Sequence, residues 1–368
     1  MGFLYVVLII YATLVGKASE SVSAPAMFVF GDSLADSGNN NYIPTLAKSN
    51  YPPYGIDFPQ GPTGRFSNGK LAVDLIDHYI KGRITLCFVA ELLGLPYPPP
   101  YSDPSTNGPQ MLPGVNYASA ASGILDDTGK QYMGPIPLSK QINNFRETAS
   151  RIFGLFGQNV TAMNDYMSRV LVIMSVGSND YLNNYLRPDL YTTSTQYSPL
   201  AFSNLLVQQI GQQLLALYNT GVRRFVVYSL GPIGCTPNQL VGQNCNDRVN
   251  QMVVLFNSAL RSLIIDLNLH FPGANLAYGD VYGIVSDVLI NPTPYGFSVS
   301  IQGCCGVDTG RVQWNCIAGI APCSNRNAYV FWDSLHPTEA LNRIIAQRSY
   351  AGPQSDIYPF NIQQLASQ

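Results

Sequence analysis

The sequence predicts an α/β fold, a three-layer α/β/α sandwich with about five parallel strands. Short apolar runs alternate along the chain with longer amphipathic segments, a pattern that favours parallel strands joined by right-handed helical crossovers. The strand-like runs are apolar throughout, which is typical of a sheet covered on both faces. A chain of 368 residues can bury a large core, and no low-complexity linker or internal repeat divides it. We therefore expect a single domain over residues 25–368.

The expected strands and helices follow one another from residue 26. We expect strands over residues 26–30, 114–119, 170–176, 224–230 and 275–278, and helices over residues 139–156, 199–218, 246–269 and 338–348, with a short helix from Val281. A cysteine-rich loop is expected over residues 303–325, and a short apolar run over residues 329–332 precedes another polar turn. Two strands stop abruptly in polar turns, at Gly31-Asp32-Ser33 and at Gly177-Ser178-Asn179. Open α/β sheets carry their sites at such strand ends.

The amino terminus has the pattern of a secretory signal peptide. Residues 3–15 are apolar and too few to span a bilayer comfortably, and small residues follow where a signal peptidase can cut. We therefore expect residues 1–24 to be removed and the mature protein to be secreted, without stable membrane insertion. No Lys or Arg precedes the apolar run, so a membrane anchor is the alternative.

The charge composition excludes nucleic acid as a partner. Charged residues make up 11% of the chain, against roughly 25% in average proteins. The formal net charge is -2, so no basic face is offered to a polyanion. We expect a monomer.

The cysteines agree with export. Six of the seven lie between residues 235 and 323, and Cys87 stands alone. A zinc site is the competing explanation, but the adjacent Cys304 and Cys305 do not give the two-residue spacing of a zinc knuckle. Disulfides are favoured in an oxidising compartment, with their connectivity open. Export also makes Asn159, in Asn159-Val160-Thr161, a usable glycosylation acceptor.

Residues 77–88 do not fit the helix around them. A helical pattern begins at residues 70–76 and ends at residues 90–95, but Gly82, Ile84 and Thr85 between them favour a break. Removing residues 77–88 would leave one uninterrupted amphipathic helix and an even number of cysteines. We therefore hypothesise that this segment derives from a retained intron fragment or alternative splicing.

Ser33 is the candidate nucleophile because it ends the first expected strand, although Gly31-Asp32-Ser33 alone is more typical of an ordinary turn. An attacked carbonyl develops negative charge on its oxygen, which needs preplaced hydrogen-bond donors. Asn179 can supply a side-chain amide and Ser33 its own backbone N–H, although Asn179 alone also fits an ordinary turn. A third donor is expected from the turn over residues 120–123.

His336 is the best candidate for the base among three histidines. His78 lies in the segment that does not fit, and His270 sits at an expected helix end, where it can cap the last carbonyls. Asp333 precedes His336 by three residues, so its carboxylate can hold the second ring nitrogen and stabilise the imidazolium. The alternative is a helix-start cap formed by the same two residues.

Four segments together resemble the sequence blocks of plant GDSL esterase/lipases, which belong to the SGNH hydrolase superfamily. They are residues 28–40 (FVFGDSLADSGNN), 114–119 (GVNYAS), 177–180 (GSND) and 333–338 (DSLHPT). The resemblance covers nearly the whole chain from residue 28 to residue 362 and implies a flavodoxin-like hydrolase fold. It also implies the following roles: Ser33 as nucleophile, His336 as base, Asp333 as its partner, and Ser33, Gly123 and Asn179 as oxyanion donors.

One departure from the family pattern affects the second block. Many relatives have paired glycines where this chain has Ala120-Ala121. The backbone donor of this block is therefore the N–H of Gly123 or that of Ala121, and alanine can retain this role if its φ permits.

The resemblance implies a secreted serine hydrolase of the cell wall or apoplast that cleaves carboxylic esters through an acyl-enzyme. It implies no metal and no organic cofactor. Long acyl chains, acetylated polysaccharides and phenolic esters all remain open as substrates. Acyl transfer to cell-wall or cuticle components is one alternative, and a binding protein whose site is damaged by residues 77–88 is another.

Overall fold

The computed structural model describes residues 24–76, 95–306 and 316–368. The strands are β1 (Met27–Gly31), β2 (Leu171–Ser175), β3 (Arg224–Tyr228), β4 (Asn275–Gly279), β5 (Val299–Gly303), β6 (Tyr329–Phe331) and β7 (Ile357–Tyr358). The longer helices are α1 (Ala72–Ile76), α2 (Leu138–Leu155), α3 (Val160–Arg169), α4 (Pro199–Tyr218), α5 (Asp247–His270), α6 (Val281–Ile290), α7 (Glu339–Ala351) and α8 (Ile362–Ser367). Short helical turns include Asn39–Tyr42, Ser178–Asp180, Tyr181–Tyr185 and Thr193–Gln196. The expected signal peptide, apart from Ala24, and residues 77–88 with Cys87 lie outside the described residues.

The central sheet has the order β1-β2-β3-β4-β7. The first four strands are parallel, with Met27 opposite Leu171 in one pair and Arg224 opposite Asn275 in another. The fold class predicted from the alternation of strands and helices is confirmed. The fifth strand differs from the expectation, because β7 is antiparallel to β4 and only two residues long.

The segment expected as a strand over residues 114–119 is not a full strand. It lies along the free edge of β1, where Val29 donates to the carbonyl of Val115 and accepts from the N–H of Tyr117. Only Asn116 forms a bridge to Val29. Gly114 has a φ of 122°, and a Cβ there would lie 1.9 Å from the carbonyl oxygen of Met27. The N–H of Met27 also donates to the carbonyl of Pro113, and the N–H of Ser119 donates to the carbonyl of Gly31, so the segment is an extended edge beside β1.

The two faces of the sheet bury alternate residues of each strand, which produces the three layers. Phe28 and Phe30 of β1 pack in the cluster formed with α2, α4 and α5, whereas Met27 and Val29 pack in the cluster formed with α1, α7 and α8. All four side chains are fully buried. Full burial of each contributes about 1.5–3 kcal/mol, so β1 is anchored from both sides just before it reaches Ser33.

Helix α5 is the longest of the described helices. It is apolar and long enough to cross a membrane by composition, but it packs Val253, Phe256 and Leu260 into the core beside the sheet. The side chain of Asn246 caps its amino terminus by accepting from the N–H of Val249. The bounds of the other expected helices differ by a few residues, as helix ends commonly do.

Helix α3 and strand β5 are among the elements that were absent from the sequence expectations. Helix α3 begins at Val160, and the side chain of Asn159 caps it by accepting from the N–H of Ala162 at 3.1 Å. Strand β5 forms a small parallel sheet with β6. Its residues are largely half-exposed, so it lacks the continuous apolar run that marks the strands of the main sheet.

The six clustered cysteines form three disulfides, which confirms the expected disulfides and excludes the zinc alternative for these residues. The pairs are Cys235–Cys245, Cys304–Cys323 and Cys305–Cys316. The last two bridges fasten the cysteine-rich segment beside β5, next to the turn that carries Asp333 and His336.

Candidate active site

Three strand ends bring the predicted side chains together. Ser33 follows β1, Asn179 follows the neighbouring β2, and His336 follows β6. The β1 end approaches β2 closely, since a Cβ on Gly31 would lie 2.4 Å from the carbonyl oxygen of Ser175. Glycine therefore allows the serine turn to sit directly beside the asparagine turn.

Ser33, His336 and Asp333 form a continuous chain of hydrogen bonds. The Nε2 atom of His336 lies 2.9 Å from the Oγ of Ser33. The Nδ1 atom of His336 lies 2.8 Å from Oδ2 and 3.0 Å from Oδ1 of Asp333. Ser33 is 6% exposed, His336 4% and Asp333 0%. This arrangement gives the serine a base and gives the base an orienting carboxylate.

Asp333 is held as a carboxylate. Burial alone would raise its pKa, but the adjacent His336 and the N–H groups of Leu335 and His336 lower the pKa below its ordinary value. Those two N–H groups donate to Oδ1 at 2.8 and 2.7 Å. Helix α7 is capped instead by Thr338, whose side chain accepts from the N–H of Leu341. The helix-cap alternative for Asp333 is therefore excluded.

Tyr54 is a member of this network that the sequence reasoning missed. Its hydroxyl donates to Oδ2 of Asp333 at 2.7 Å, and its side chain is buried. Burial and the nearby Asp333 charge raise the pKa of Tyr54 well above its ordinary value, so the phenol stays a donor. The ring of Phe66 packs on His336 with centroids 4.9 Å apart.

His270 does not approach this cluster. Its ring is mostly exposed on α5, and Nδ1 lies 2.9 Å from the carbonyl oxygen of Asp266. This is the carbonyl-capping position expected for a histidine at a helix end. His78 lies outside the described residues.

The side-chain amide of Asn179 uses only one of its two hydrogens in the hydrogen bonds between described residues. Its Nδ2 donates to the carbonyl of Ser122 at 2.9 Å, and its Oδ1 accepts from Nδ2 of Asn183 at 2.6 Å. An amide NH₂ has two hydrogens, so the second is available to an oxyanion. Asn179 lines both cavities that border Ser33. The N–H of Ser33 has no acceptor among the residues that the structure describes.

The structure brings Ala121, and not Gly123, to the wall of a cavity beside Ser33. Ala120 and Ala121 line the cavity that also contacts His336. Gly123 lines neither of the two cavities that border Ser33, and a Cβ there would lie 2.6 Å from Oδ1 of Asp180. Ala121 has a φ of 66°, a conformation in which glycine is the less strained residue.

A buried clamp fixes the peptide unit between Ala120 and Ala121. The Nδ2 of Asn40 donates to the carbonyl of Ala120 at 3.0 Å. In a trans peptide the C=O and the following N–H point in opposite directions, so Asn40 directs the N–H of Ala121 away from itself. Asp36 holds the preceding N–H, that of Ala120, at 3.0 Å. These contacts fix the orientation of the Ala120–Ala121 peptide unit at the wall of the cavity.

Asp180 fastens the remainder of this turn to the strand end that carries Asn179. Its carboxylate accepts from the N–H groups of Ile124 and Leu125 at 2.8 and 3.0 Å and from the hydroxyl of Thr128 at 2.7 Å. Burial raises its pKa to about 6 despite these donors. The two turns that offer oxyanion donors are thus one hydrogen-bonded unit.

The chain matches a known family over most of its length. The GDSL-like lipase/acylhydrolase family matches residues 27–349. The chain belongs to this family. Among proteins of Arabidopsis thaliana, it is 47% identical to GDSL esterase/lipase At1g71250 across 93% of this chain and 88% of that protein. It is 44% identical to GDSL esterase/lipase At5g45670 across 100% of this chain and 99% of that protein.

This membership confirms the family, fold class and enzyme class expected from the sequence. Lipases and acylhydrolases cleave carboxylic ester bonds, which is the chemistry that the serine, histidine and aspartate arrangement can perform. The predicted residues of three of the four blocks, Ser33, Asn179, Asp333 and His336, come together at one site. Gly123, which lies outside the four blocks, lines neither cavity there.

Two cavities border Ser33 and Asn179 in this GDSL family chain. One has a volume of about 80 Å³ and an apolar wall formed largely by α6, α7 and β6. The other has a volume of about 140 Å³ and a mixed wall that includes Lys48, Tyr132 and His336.

Proposed function

We propose that this chain is a secreted serine esterase in which Ser33, His336 and Asp333 act together on carboxylic esters. The observation that carries the proposal is the hydrogen-bonded chain from the Ser33 hydroxyl through both nitrogens of His336 to Asp333. Three donors then serve the oxyanion: the N–H of Ser33, the N–H of Ala121 and the Nδ2 of Asn179.

In the first half of the reaction, the Oγ of Ser33 forms a bond to the ester carbonyl carbon while His336 Nε2 accepts the serine proton. The carbonyl oxygen becomes an oxyanion held by the three donors, and Asp333 stabilises the imidazolium. When the carbon–oxygen bond to the alcohol breaks, His336 returns the proton to the leaving oxygen. This leaves an acyl group on Ser33.

In the second half, water takes the place of the alcohol. His336 accepts a proton from the water as its oxygen bonds to the acyl carbon, and the proton then passes to Ser33 as the acid leaves. The family membership supports hydrolysis as the reaction class.

We also propose that the protein is secreted into the cell wall or apoplast. The three disulfides support an oxidising compartment, and the apolar amino-terminal segment supports export. Asn159 is exposed at the start of α3 and is proposed as a glycosylation site. Its Oδ1 caps the helix, so the Nδ2 that would carry the glycan remains outward. We propose a monomer with one domain over residues 25–368.

Hydrolysis of p-nitrophenyl butyrate by wild type and by Ser33→Ala tests the function. We expect Ser33→Ala to lose nearly all turnover while retaining the wild-type melting temperature. Ser258→Ala, at an exposed position of α5, is the matched control and should keep full turnover. An inactive, folded wild-type protein would support the binding-protein alternative, and an active Ser33→Ala would rule out Ser33 as the nucleophile.

A further inference from the structure

The apolar cavity beside Ser33 is built from side chains of several elements. Its apolar wall includes Leu34, Ile233, Val285, Phe331, Leu341 and Ile345. Among the described residues that line it, Asp32 alone has an ionisable side chain. Burial raises the pKa of Asp32 to about 7, so this carboxyl is about half protonated at neutral pH and carries less negative charge than an exposed aspartate. A charged or strongly hydrated group would lose its water here without compensation.

The second cavity offers a different surface. Lys48, Tyr51, Tyr132 and Asn183 contribute an ammonium, two phenols and an amide to its wall. The ammonium of Lys48 is held only by the carbonyl of Asn41 at 3.3 Å among the described residues. Such groups can pair with hydroxyl and other polar oxygens, so this wall suits a hydrated group better than an alkyl chain.

The position of His336 decides which half of an ester enters which cavity. Nε2 must return its proton to the leaving oxygen, so that oxygen has to lie within hydrogen-bond reach of the ring. His336 lines the second cavity, which we call the polar cavity. It is not among the described residues that line the apolar cavity. Asn179 borders both cavities, as expected of a donor that holds the carbonyl oxygen between the two halves of the ester.

We infer that the apolar cavity receives an aliphatic acyl group and the polar cavity receives the alcohol of the ester. This inference rests on the proposed function and narrows it to esters of uncharged alkyl acids with polar alcohols. Val285, from α6, contributes to the limit on acyl length, because its buried side chain forms part of the apolar wall. Lys48 belongs to the alcohol side and has no part in acyl length.

A series of p-nitrophenyl esters from acetate to octanoate tests the assignment with the alcohol held constant. For wild type we expect kcat/KM to rise about fourfold per methylene, the effect of burying one CH₂ group, until the cavity is full. Val285→Phe should retain acetate hydrolysis and reach its maximum at a shorter chain. Val281 is a half-buried residue that lines the same cavity. Val281→Phe should shift the maximum in the same direction, and it replaces Val285→Phe in the test if that variant does not fold.

Lys48→Met is the matched control from the polar cavity. It should keep the wild-type acyl-length profile and should alter the ratio of kcat/KM for glyceryl monobutyrate to that for ethyl butyrate. A chain-length maximum that moves in Lys48→Met, or that stays unchanged in folded Val285→Phe and Val281→Phe, would overturn the assignment. Ser33→Ala separates this failure from failure of the proposed function, because residual hydrolysis there would reject the nucleophile itself.

Discussion

Replacing Asn40 by Asp tests the clamp on the oxyanion peptide. The amide of Asn40 donates to the carbonyls of Ala120 at 3.0 Å and Ala47 at 2.8 Å. A carboxylate of nearly the same shape would present oxygen to both carbonyls, while still accepting from the hydroxyl of Ser119. The carboxylate oxygen would repel the carbonyl oxygen of Ala120. The peptide unit would then rotate, so the N–H of Ala121 turns away from the oxyanion position.

The expected fall in kcat follows from the misdirection of one oxyanion donor, the N–H of Ala121. Removing an oxyanion donor outright costs about 10²- to 10³-fold in kcat. In Asn40→Asp the N–H of Ala121 is still present but misdirected, so we expect kcat to fall by about 10- to 100-fold, a smaller loss than complete removal. KM should change little, because the donor acts on charge that develops after binding. Each carbonyl left unpaired also costs about 1–3 kcal/mol of stability.

Asn39→Asp is the matched control for this experiment. Asn39 is equally buried, and its amide also donates to two carbonyls, those of Asn116 at 2.9 Å and Ala118 at 2.8 Å. It does not touch the Ala120–Ala121 peptide unit. Steady-state kinetics at a temperature where both variants are folded should show the kcat loss in Asn40→Asp alone. Equal losses in the two variants, or a wild-type kcat in Asn40→Asp, would refute the orienting role.

Three further predictions concern the same site. Asn179→Ala should lower kcat about 10²- to 10³-fold with a nearly unchanged KM; an unaffected kcat in stopped assays would remove Asn179 from the oxyanion site. Tyr54→Phe should lower kcat about tenfold, because a hydrogen bond to a charged group contributes about 1.5 kcal/mol or more; steady-state kinetics showing a change only in KM would argue against its positioning of Asp333. The third is a pH effect: burial raises the pKa of Asp32 from 3.8 to about 7, so the folded state binds this proton more tightly than the unfolded chain. Its contribution to stability is therefore full below about pH 4 and is lost as pH rises to about 7, a difference of up to about 4 kcal/mol. Urea unfolding between pH 5 and 8 should show a weaker pH dependence for Asp32→Asn than for wild type, and parallel curves would contradict this.

The candidate site residues could be predicted from the sequence because they follow the ends of strands. Ser33 and Asn179 follow apolar runs that could only be buried strands, and the spacing of Asp333 and His336 allowed one turn to present both groups. The carboxyl ends of parallel strands meet at one edge of a sheet. The convergence of Ser33 and Asn179 therefore followed from local patterns, whereas Asp333 and His336 reach them from the end of β6, which belongs to the separate two-stranded sheet.

The groups that the sequence did not reveal act through contacts between distant segments. Tyr54 reaches Asp333 across 279 positions, and Asn40 reaches Ala120 across 80; neither side chain differs locally from an ordinary loop residue. A backbone donor has no side-chain signature at all. The choice between Ala121 and Gly123 therefore needed the positions of the two residues relative to the cavity.

The secondary structure was missed where its stabilisation is not local apolar burial. Strand β5 is largely half-exposed and depends on pairing with β6. The segment over residues 114–119 has the composition of a strand, but only Asn116 forms a bridge to β1. In both cases the deciding contact comes from another part of the chain.

Covalent labelling with a fluorophosphonate tests the central claim most directly. The reagent reacts with a serine activated by a neighbouring base, and tandem mass spectrometry then locates the adduct. The account predicts one adduct on Ser33 in the wild-type protein, together with loss of esterase activity in proportion to labelling. It also predicts no adduct in His336→Ala at the same exposure. An adduct on another serine, or full esterase activity after Ser33 is modified, would contradict the account.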